Sequence, residues 1–163
     1  MSYPDPVYLG DSGEVTARLR PEDTPADLTF PNGTKVEYLA TGASTDEGFG
    51  LYRWTVPPGP GGAALHFHRS FSESFYVLSG TVTLGDGAKT VDARPGDYLY
   101  VPPGGLHSFK NVTDDPASML ILFSPGAPRE AYFEGLIEIA EGKKMSGEDL
   151  NAFFVAHDNN YVE

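Results

Sequence analysis

The chain has 163 residues, of which 40% are hydrophobic and 12% aromatic, a composition typical of one folded globular domain rather than of a disordered protein. It contains no cysteine, which excludes disulfides and thiolate metal sites. Its formal net charge of −12 disfavours nucleic acid and anionic membranes as partners, because both bind basic protein surfaces.

Two further features of the sequence bear on where the protein acts. The first residues, MSYPDPVYLGDSGE, have neither the basic region nor the apolar core of a secretory signal. The longest strongly apolar run, Met119 to Phe123, is too short to cross a bilayer. We therefore expect a cytoplasmic protein that binds neither nucleic acid nor membrane.

Short β-like runs separated by turn residues extend from Glu14 to about Phe123. The intervening segments, such as PNGT, LGDG, ARPGD and VPPGG, are rich in residues that favour turns. Many short strands at this spacing predict an antiparallel sandwich or barrel. The clearest predicted strands are EVTARL (14–19), KVEYLA (35–40), FGLYRWTV (49–56), ESFYVLS (73–79), TVTLG (81–85), DYLYV (97–101) and SMLILF (118–123).

After Pro128 the pattern changes to that of α-helix. The first predicted helix, REAYFEGLIEIAEG (129–142), has one apolar stripe at helical spacing: Phe133, Leu136, Ile137 and Ala140. Gly142 can end this helix, and Ser146 followed by Asp149 is typical of a helix N-cap. The second predicted helix has on one side Leu150, Phe153, Phe154 and His157. The sequence thus predicts a β-barrel followed by two short helices.

Two of the four histidines lie in the segment LHFHRSFSESFYVLSG (65–80). Because side chains alternate along a strand, His66 and His68 point to the same face. Glu73 begins the next predicted strand and can bring its carboxylate to the same point, and His107 follows a Pro-Pro-Gly-Gly turn. Three imidazole nitrogens and one carboxylate oxygen form a suitable ligand set for a divalent transition metal.

These segments resemble the two sequence motifs of the cupin superfamily. The first motif is matched by His66, His68, Glu73 and Gly80. The second is matched by Gly96, Pro102, Gly104, His107 and Asn111. Pro60 stands where the first motif usually opens with glycine. The chain also resembles a narrower group, the quercetinase-like monocupins, through this core and through the segments SPGAPREAYFEGL (124–136) and EDLNAFFVAHDNNYVE (148–163).

The resemblance implies an all-β fold, the cupin double-stranded β-helix or jelly-roll barrel, with two short C-terminal α-helices. Residues 49–127 would form the barrel core, residues 1–48 would add N-terminal strands and loops packed on it, and residues 128–163 would form the helices of the same structural domain. Cupin barrels commonly pair through exposed sheet edges, so the resemblance also implies a homodimer.

The expected cofactor is one divalent transition metal ion held by His66, His68, Glu73 and His107. Ligand types alone leave iron, manganese, nickel, cobalt, copper and zinc open. His157 is interpreted instead as a capping or packing residue, because it continues the apolar stripe of the second helix. Gly96 and Gly104 are interpreted as turn residues, and Asn111 as a residue whose side chain binds backbone.

Within the quercetinase-like group, the implied reaction is dioxygenation of an aromatic, flavonol-like or enol-type small molecule. Dioxygen would be the second substrate, and Glu73 would be both a metal ligand and the candidate base. Side chains in phase with the ligands, together with the first helix, are expected to form the substrate pocket: Phe75, Val77, Phe109, Phe133 and Leu136. Two alternatives stay open, namely a metal cupin with isomerase, cyclase or lyase chemistry and a small-molecule-binding cupin without turnover.

Overall fold

A computed structural model describes residues 2–59 and 61–162, so that Pro60 lies outside the described residues. The described chain forms eleven strands and two α-helices. The strands are β1 (Leu28–Thr29), β2 (Lys35–Ala40), β3 (Gly50–Val56), β4 (Gly61–Phe67), β5 (Ser72–Ser79), β6 (Val82–Gly85), β7 (Thr90–Ala93), β8 (Tyr98–Val101), β9 (His107–Asn111), β10 (Ala117–Ser124) and β11 (Asn160–Tyr161). The helices are α1 (Arg129–Ala140) and α2 (Gly147–Ala156).

The strands form two antiparallel sheets. One sheet has six strands in the order β1-β2-β3-β10-β5-β8, and the other has five in the order β11-β4-β9-β6-β7. Buried side chains from both sheets join a single hydrophobic core, as expected when two sheets pack face to face. This arrangement confirms the predicted all-β cupin barrel with two short C-terminal helices.

Two neighbouring strands of the larger sheet show most clearly how the sequence builds the interior. β3 buries Tyr52, Trp54 and Val56, and β10 buries Met119, Ile121 and Phe123. The side chains between them are only half-buried, because successive residues of a strand face opposite sides of the sheet. The two buried rows run along the inside of the barrel and reach the candidate site.

The predicted strand EVTARL (14–19) is wrong. Residues 2–19 form no strand and are exposed, and the side chains of Val15 and Leu19 are almost completely open to solvent. An alternating pattern gives a strand only where a neighbouring strand takes up its backbone hydrogen bonds, and no described strand runs beside this segment. The larger sheet begins instead at β1 and β2, of which β2 coincides with the predicted KVEYLA.

The C-terminal helices follow the sequence prediction closely. α1 buries Tyr132 and Phe133 in the core, and Ser146 caps α2 by accepting a hydrogen bond from the backbone N–H of Asp149 at 3.0 Å. Neither helix of the described residues is long and apolar enough to cross a membrane.

The chain returns to the barrel after α2. His157 ends the helix, and its ring packs against those of Tyr132 and Phe153 with centroids 5.5 and 4.8 Å apart, which confirms the packing role. β11 then pairs with β4 and places Tyr161 opposite His66. This last pairing, which the sequence did not predict, brings the end of the chain to the histidine cluster.

Candidate metal centre

Four side chains from three neighbouring parts of the barrel converge at one point. His66 lies near the end of β4, His68 follows that strand, Glu73 lies near the start of β5, and His107 begins β9. β4 and β9 pair so that His66 stands opposite His107. All four side chains are buried, and their ligand atoms lie within 4.8 Å of one another. The structure therefore brings together every ligand that the sequence predicted.

The Pro-Pro-Gly-Gly turn positions His107. Gly104 adopts a φ of +82°, which a residue with a side chain would adopt only with strain. Its N–H donates to the carbonyl of His68 at 2.6 Å and so ties the end of β4 to the start of β9. At the far end of β9, the Asn111 amide donates to the carbonyl of Asp115 at 2.8 Å. The structural roles predicted for Gly104 and Asn111 are confirmed.

The second ring nitrogen of each histidine faces a backbone carbonyl. The Nδ1 atoms lie 2.6 to 3.0 Å from these oxygens, in the pairs His66 with Ala64, His68 with Asp158, and His107 with Gly105. Because a carbonyl can only accept, each Nδ1 carries the proton and each Nε2 keeps its lone pair when the ring is neutral. This is the tautomer that binds a metal through Nε2.

The contacts between the histidines and Glu73 require a positive charge within the cluster. The Nε2 atoms of His68 and His107 lie 2.9 and 2.8 Å from the same oxygen, Oε2 of Glu73. A nitrogen lone pair facing a carboxylate oxygen is repulsive, so the contact requires either an extra proton on the rings or a metal ion among the four groups. Three nitrogens and one oxygen suit a divalent transition metal, and they do not choose which one.

Burial and neighbouring charges set the protonation of these groups. Burial, followed by the charge of His107, lowers the pKa of His66 to about 4, so this ring is neutral at pH 7. Burial acts to raise the pKa of Glu73, but the close contacts with His107 and His68, which stabilise the carboxylate when these rings are protonated, outweigh it and hold the pKa below the usual range. Burial likewise acts to lower the pKa of His107, but Glu73 outweighs it and raises that pKa. Without a metal, His107 thus takes up a proton more readily than a free imidazole does.

Asp158 supports the cluster from the C-terminal segment, and sequence reasoning missed it. Its carbonyl accepts from Nδ1 of His68, while its carboxylate accepts from the backbone N–H groups of Arg69 at 2.8 Å and Ser70 at 2.7 Å. These bonds fix the segment that follows β4 and hold the ring of His68 in orientation. Ninety residues separate Asp158 from His68, so no local pattern could have indicated the contact.

A cavity of about 150 Å³ lies against the cluster, and His66 and Glu73 are among its lining residues. The rest of its wall is mainly apolar and includes Trp54, Phe109, Ile121, Phe123, Tyr132 and Phe133. A concave, largely apolar site with a few convergent polar groups is the usual form of a small-molecule site.

The predicted pocket residues divide into two groups. Phe109, Phe133 and Leu136 line the cavity. Phe75 and Val77 are fully buried in the core and are not among its lining residues. The ring of Phe75 packs instead against those of His107 and Phe109, with centroids 5.9 and 5.8 Å away.

Other lining residues were missed by the sequence reasoning. Trp54 follows the same alternation as Tyr52 and Val56 in β3, so a period-two count along that strand could have found it. Arg129, Asn159 and Tyr161 reach the cavity only because the C-terminal segment folds back on the barrel, and no local signal identifies them.

Residues 52–123 match the family model of the cupin domain. Among curated proteins, the chain is similar to quercetin 2,3-dioxygenase of Bacillus subtilis, with 31% identity over 86 residues that cover 52% of this chain and 25% of that protein. The chain spans about a quarter to a third of the length of the first curated relatives that it matches.

Solved structures show the same architecture. The chain is similar to the polyketide cyclase RemF from Streptomyces resistomycificus, with 25% identity and a TM-score of 0.55 over 66% of this chain and 78% of that one. It is also similar to a cupin 2 conserved barrel domain protein from Salinispora arenicola, with 24% identity and a TM-score of 0.55 over 73% of this chain and 98% of that one. The strand order, the buried cluster and the family model agree: the chain has the cupin fold, and over residues 52–123 it resembles the cupin domain family, including the quercetinase-like cupins.

Proposed function

We propose that the protein is a metal-dependent dioxygenase that acts on a small aromatic or enol-type molecule. The observation that carries this proposal is the buried cluster of three histidines and one glutamate, two of whose members line a largely aromatic cavity. The similarity to quercetin 2,3-dioxygenase over half of the chain supports the reaction class, although fold alone does not give function.

The donor set leaves room for substrate on an ion that prefers five or six ligands. When bound, such a metal would supply Lewis-acid activation of a substrate hydroxyl and the capacity to react with dioxygen. Glu73 lines the cavity, and in this proposal its carboxylate accepts the proton of that hydroxyl. The rings of Trp54 and Phe109, with centroids 5.9 Å apart, provide an apolar surface for a flat substrate and exclude water from it.

The size of the cavity favours a small substrate. Its volume of about 150 Å³ is below the roughly 300–1,000 Å³ that encloses a drug-sized ligand. We therefore propose a single-ring phenol or a short enol rather than a three-ring flavonol.

Oxygen consumption tests the proposal. Protein loaded separately with iron, manganese, nickel, cobalt, copper or zinc would be mixed with single-ring catechols, short enediols and a flavonol in an oxygen-electrode cell. We expect uptake with the small substrates, in proportion to substrate loss, and little uptake with the flavonol. Substrate loss that is equally fast in air and under nitrogen would contradict oxygenation.

A second candidate is non-oxidative cyclisation of an enol-type substrate. It is supported by the similarity to the polyketide cyclase RemF over two thirds of the chain. The same pair of reactions in air and under nitrogen decides between the two candidates, because cyclisation consumes no oxygen.

We also propose that the protein is a homodimer. β8 lies at the edge of the larger sheet, and Tyr76, Tyr98 and Tyr100 are exposed on β5 and β8. An open edge beside exposed aromatic residues favours association with a second copy. Light scattering coupled to gel filtration measures the mass, and a monomer at all concentrations tested would contradict the dimer.

A further inference from the structure

Arg129, the first residue of α1, brings a positive charge into the cavity beside the candidate metal centre. Only 3% of its surface is exposed, and it lines the same cavity as His66 and Glu73. Burial lowers the pKa of the guanidinium, but the ordinary pKa of arginine is so high that the group stays charged at neutral pH.

Among the described residues, the carboxylates of Glu73 and Asp158 act on this charge through space, but neither forms an ion pair or a hydrogen bond with it. Nη1 donates to the carbonyl of His157 and Nη2 to Oδ1 of Asn159, both at 2.7 Å. Nε is buried and has no hydrogen-bond partner in the described part of the chain. A guanidinium has five N–H donors, so these neutral acceptors leave most of its donor capacity unused.

Four aromatic rings surround the same group. Measured from the guanidinium carbon to the ring centroids, the distances are 4.2 Å to Tyr132, 5.0 Å to Phe123, 5.2 Å to Phe71 and 5.6 Å to Phe133. Cation–π contacts offset part of the cost of removing the charge from water. They neither use the N–H donors nor neutralise the charge.

The two more exposed arginines that form ion pairs make an instructive contrast. Arg53 donates to the carboxylate of Glu37, and Arg20 to that of Asp27 at 3.0 Å. The nearly fully buried Arg129 is the one for which a missing counter-charge costs most, because a buried unpaired charge is poorly solvated. A ligand that supplies the counter-charge would remove this cost.

From this arrangement we infer that Arg129 binds an anionic group of the ligand. The substrate would then be a small organic acid that carries a carboxylate in addition to the hydroxyl that reacts. The forked guanidinium matches a carboxylate in shape and charge, and the shared cavity is small enough for one ring to reach from Arg129 to Glu73. The statement about the reacting hydroxyl rests on the proposed function, whereas the anion site rests on the contacts of Arg129 alone.

Benzoate and benzamide are matched probes for this site, because they share one ring and differ in charge. Isothermal titration calorimetry would measure their binding to the wild-type protein, both metal-free and loaded with zinc. We expect benzoate to bind the metal-free protein at least about 10-fold more tightly than benzamide, as hydrogen bonds to a charged group require. Equal affinities, or no binding of either probe at millimolar concentration, would overturn the inference.

Substitutions locate the site. Arg129→Met removes the charge and keeps an unbranched side chain, and it should weaken benzoate binding about 10- to 100-fold while benzamide binding stays unchanged. Arg129→Lys keeps the charge without the fork and should give an intermediate affinity. Arg53→Met is the control for loss of an arginine elsewhere and should bind benzoate like the wild type. Should Arg129→Met not fold, Arg129→Lys and the wild-type probe pair decide the question.

The outcomes separate this inference from the proposed function. Benzoate that binds only the zinc-loaded protein, and binds Arg129→Met equally well, is held by the metal, and the inference fails. Arg129-dependent benzoate binding in a protein that never consumes oxygen removes the dioxygenase proposal and leaves the anion site intact. Oxygen uptake with neutral enols, together with benzoate binding that does not depend on Arg129, would support the dioxygenase proposal and overturn the anion site.

Discussion

The barrel strands and the C-terminal segment contribute different parts of one site. All four metal-ligand residues lie between positions 66 and 107, in or directly beside β4, β5 and β9. Residues 128–162 add none of them, but Arg129, Tyr132 and Phe133 line the cavity and Asp158 holds the ring of His68. The motif-bearing barrel therefore supplies the candidate metal ligands, and the C-terminal segment supplies much of the cavity beside them. Changes in the two regions should have separable effects.

Removal of a barrel ligand should have the largest effect. In His107→Gln the imidazole opposite His66 is lost, and metal affinity should fall more than about 100-fold, since even an outer-sphere partner of a ligand is worth about 10- to 100-fold. Elemental analysis after metal loading and dialysis measures the loss, and oxygen uptake should disappear with the metal. His157→Gln changes a histidine of the C-terminal segment outside the cluster and should retain its metal. Equal metal content in the two variants would contradict the assignment.

Glu73→Gln should act on the reaction more than on the metal. The amide keeps the size of the side chain and an oxygen ligand but cannot accept a proton, so the rate of oxygen uptake per bound metal should fall about 10²- to 10⁴-fold. The rate is compared with that of wild-type protein of equal metal content. Unchanged turnover with bound metal would show that Glu73 is a ligand and not the base.

The two regions also differ in how far the sequence predicts them. The ligand set can be predicted because strand alternation and motif spacing fix His66, His68, Glu73 and His107 by local rules. Arg129 and Asp158 act through partners 28 and 90 residues away, and both of these contacts involve a backbone carbonyl. EVTARL has the pattern of a strand but lies beside no other described strand. Phe75 lies in phase with Glu73 but packs in the core against His107 and Phe109. The alternation of residues along a strand predicts which face of the sheet a side chain lies on, whereas the residues that it contacts depend on tertiary packing.

Asp158→Ala tests whether the C-terminal segment affects metal affinity only by holding the ring of His68 in orientation. Loss of the bonds to the N–H groups of Arg69 and Ser70 should loosen the carbonyl that holds His68 and lower metal affinity about 10- to 100-fold without removing a ligand. Competition with a chelator measures the affinity. Asp97→Ala is the matched control, because Asp97 also accepts from a backbone N–H, that of Arg94 at 2.7 Å, away from the cluster. The same loss in both variants would indicate a general effect on the fold.

The smallest expected effect tests how α1 is attached to the barrel. Tyr52 of β3 is fully buried, and its hydroxyl donates to the Glu130 carboxylate of α1 at 2.5 Å. Burial, followed by this hydrogen bond, raises the pKa of Tyr52, so the hydroxyl remains a donor throughout the neutral range. In Tyr52→Phe the free energy of unfolding, measured with urea, should fall by about 1.5 kcal/mol, at the low end for a hydrogen bond to a charged group, because water can reach the partly exposed Glu130.

Tyr3→Phe removes the same atom from an almost fully exposed tyrosine and should leave the stability unchanged. Metal content should equal that of the wild type in both variants, since no ligand lies on β3 or α1. If Tyr52→Phe lost its metal as well as its stability, the attachment of α1 would contribute to metal binding. The barrel and the C-terminal segment would then not have separable effects.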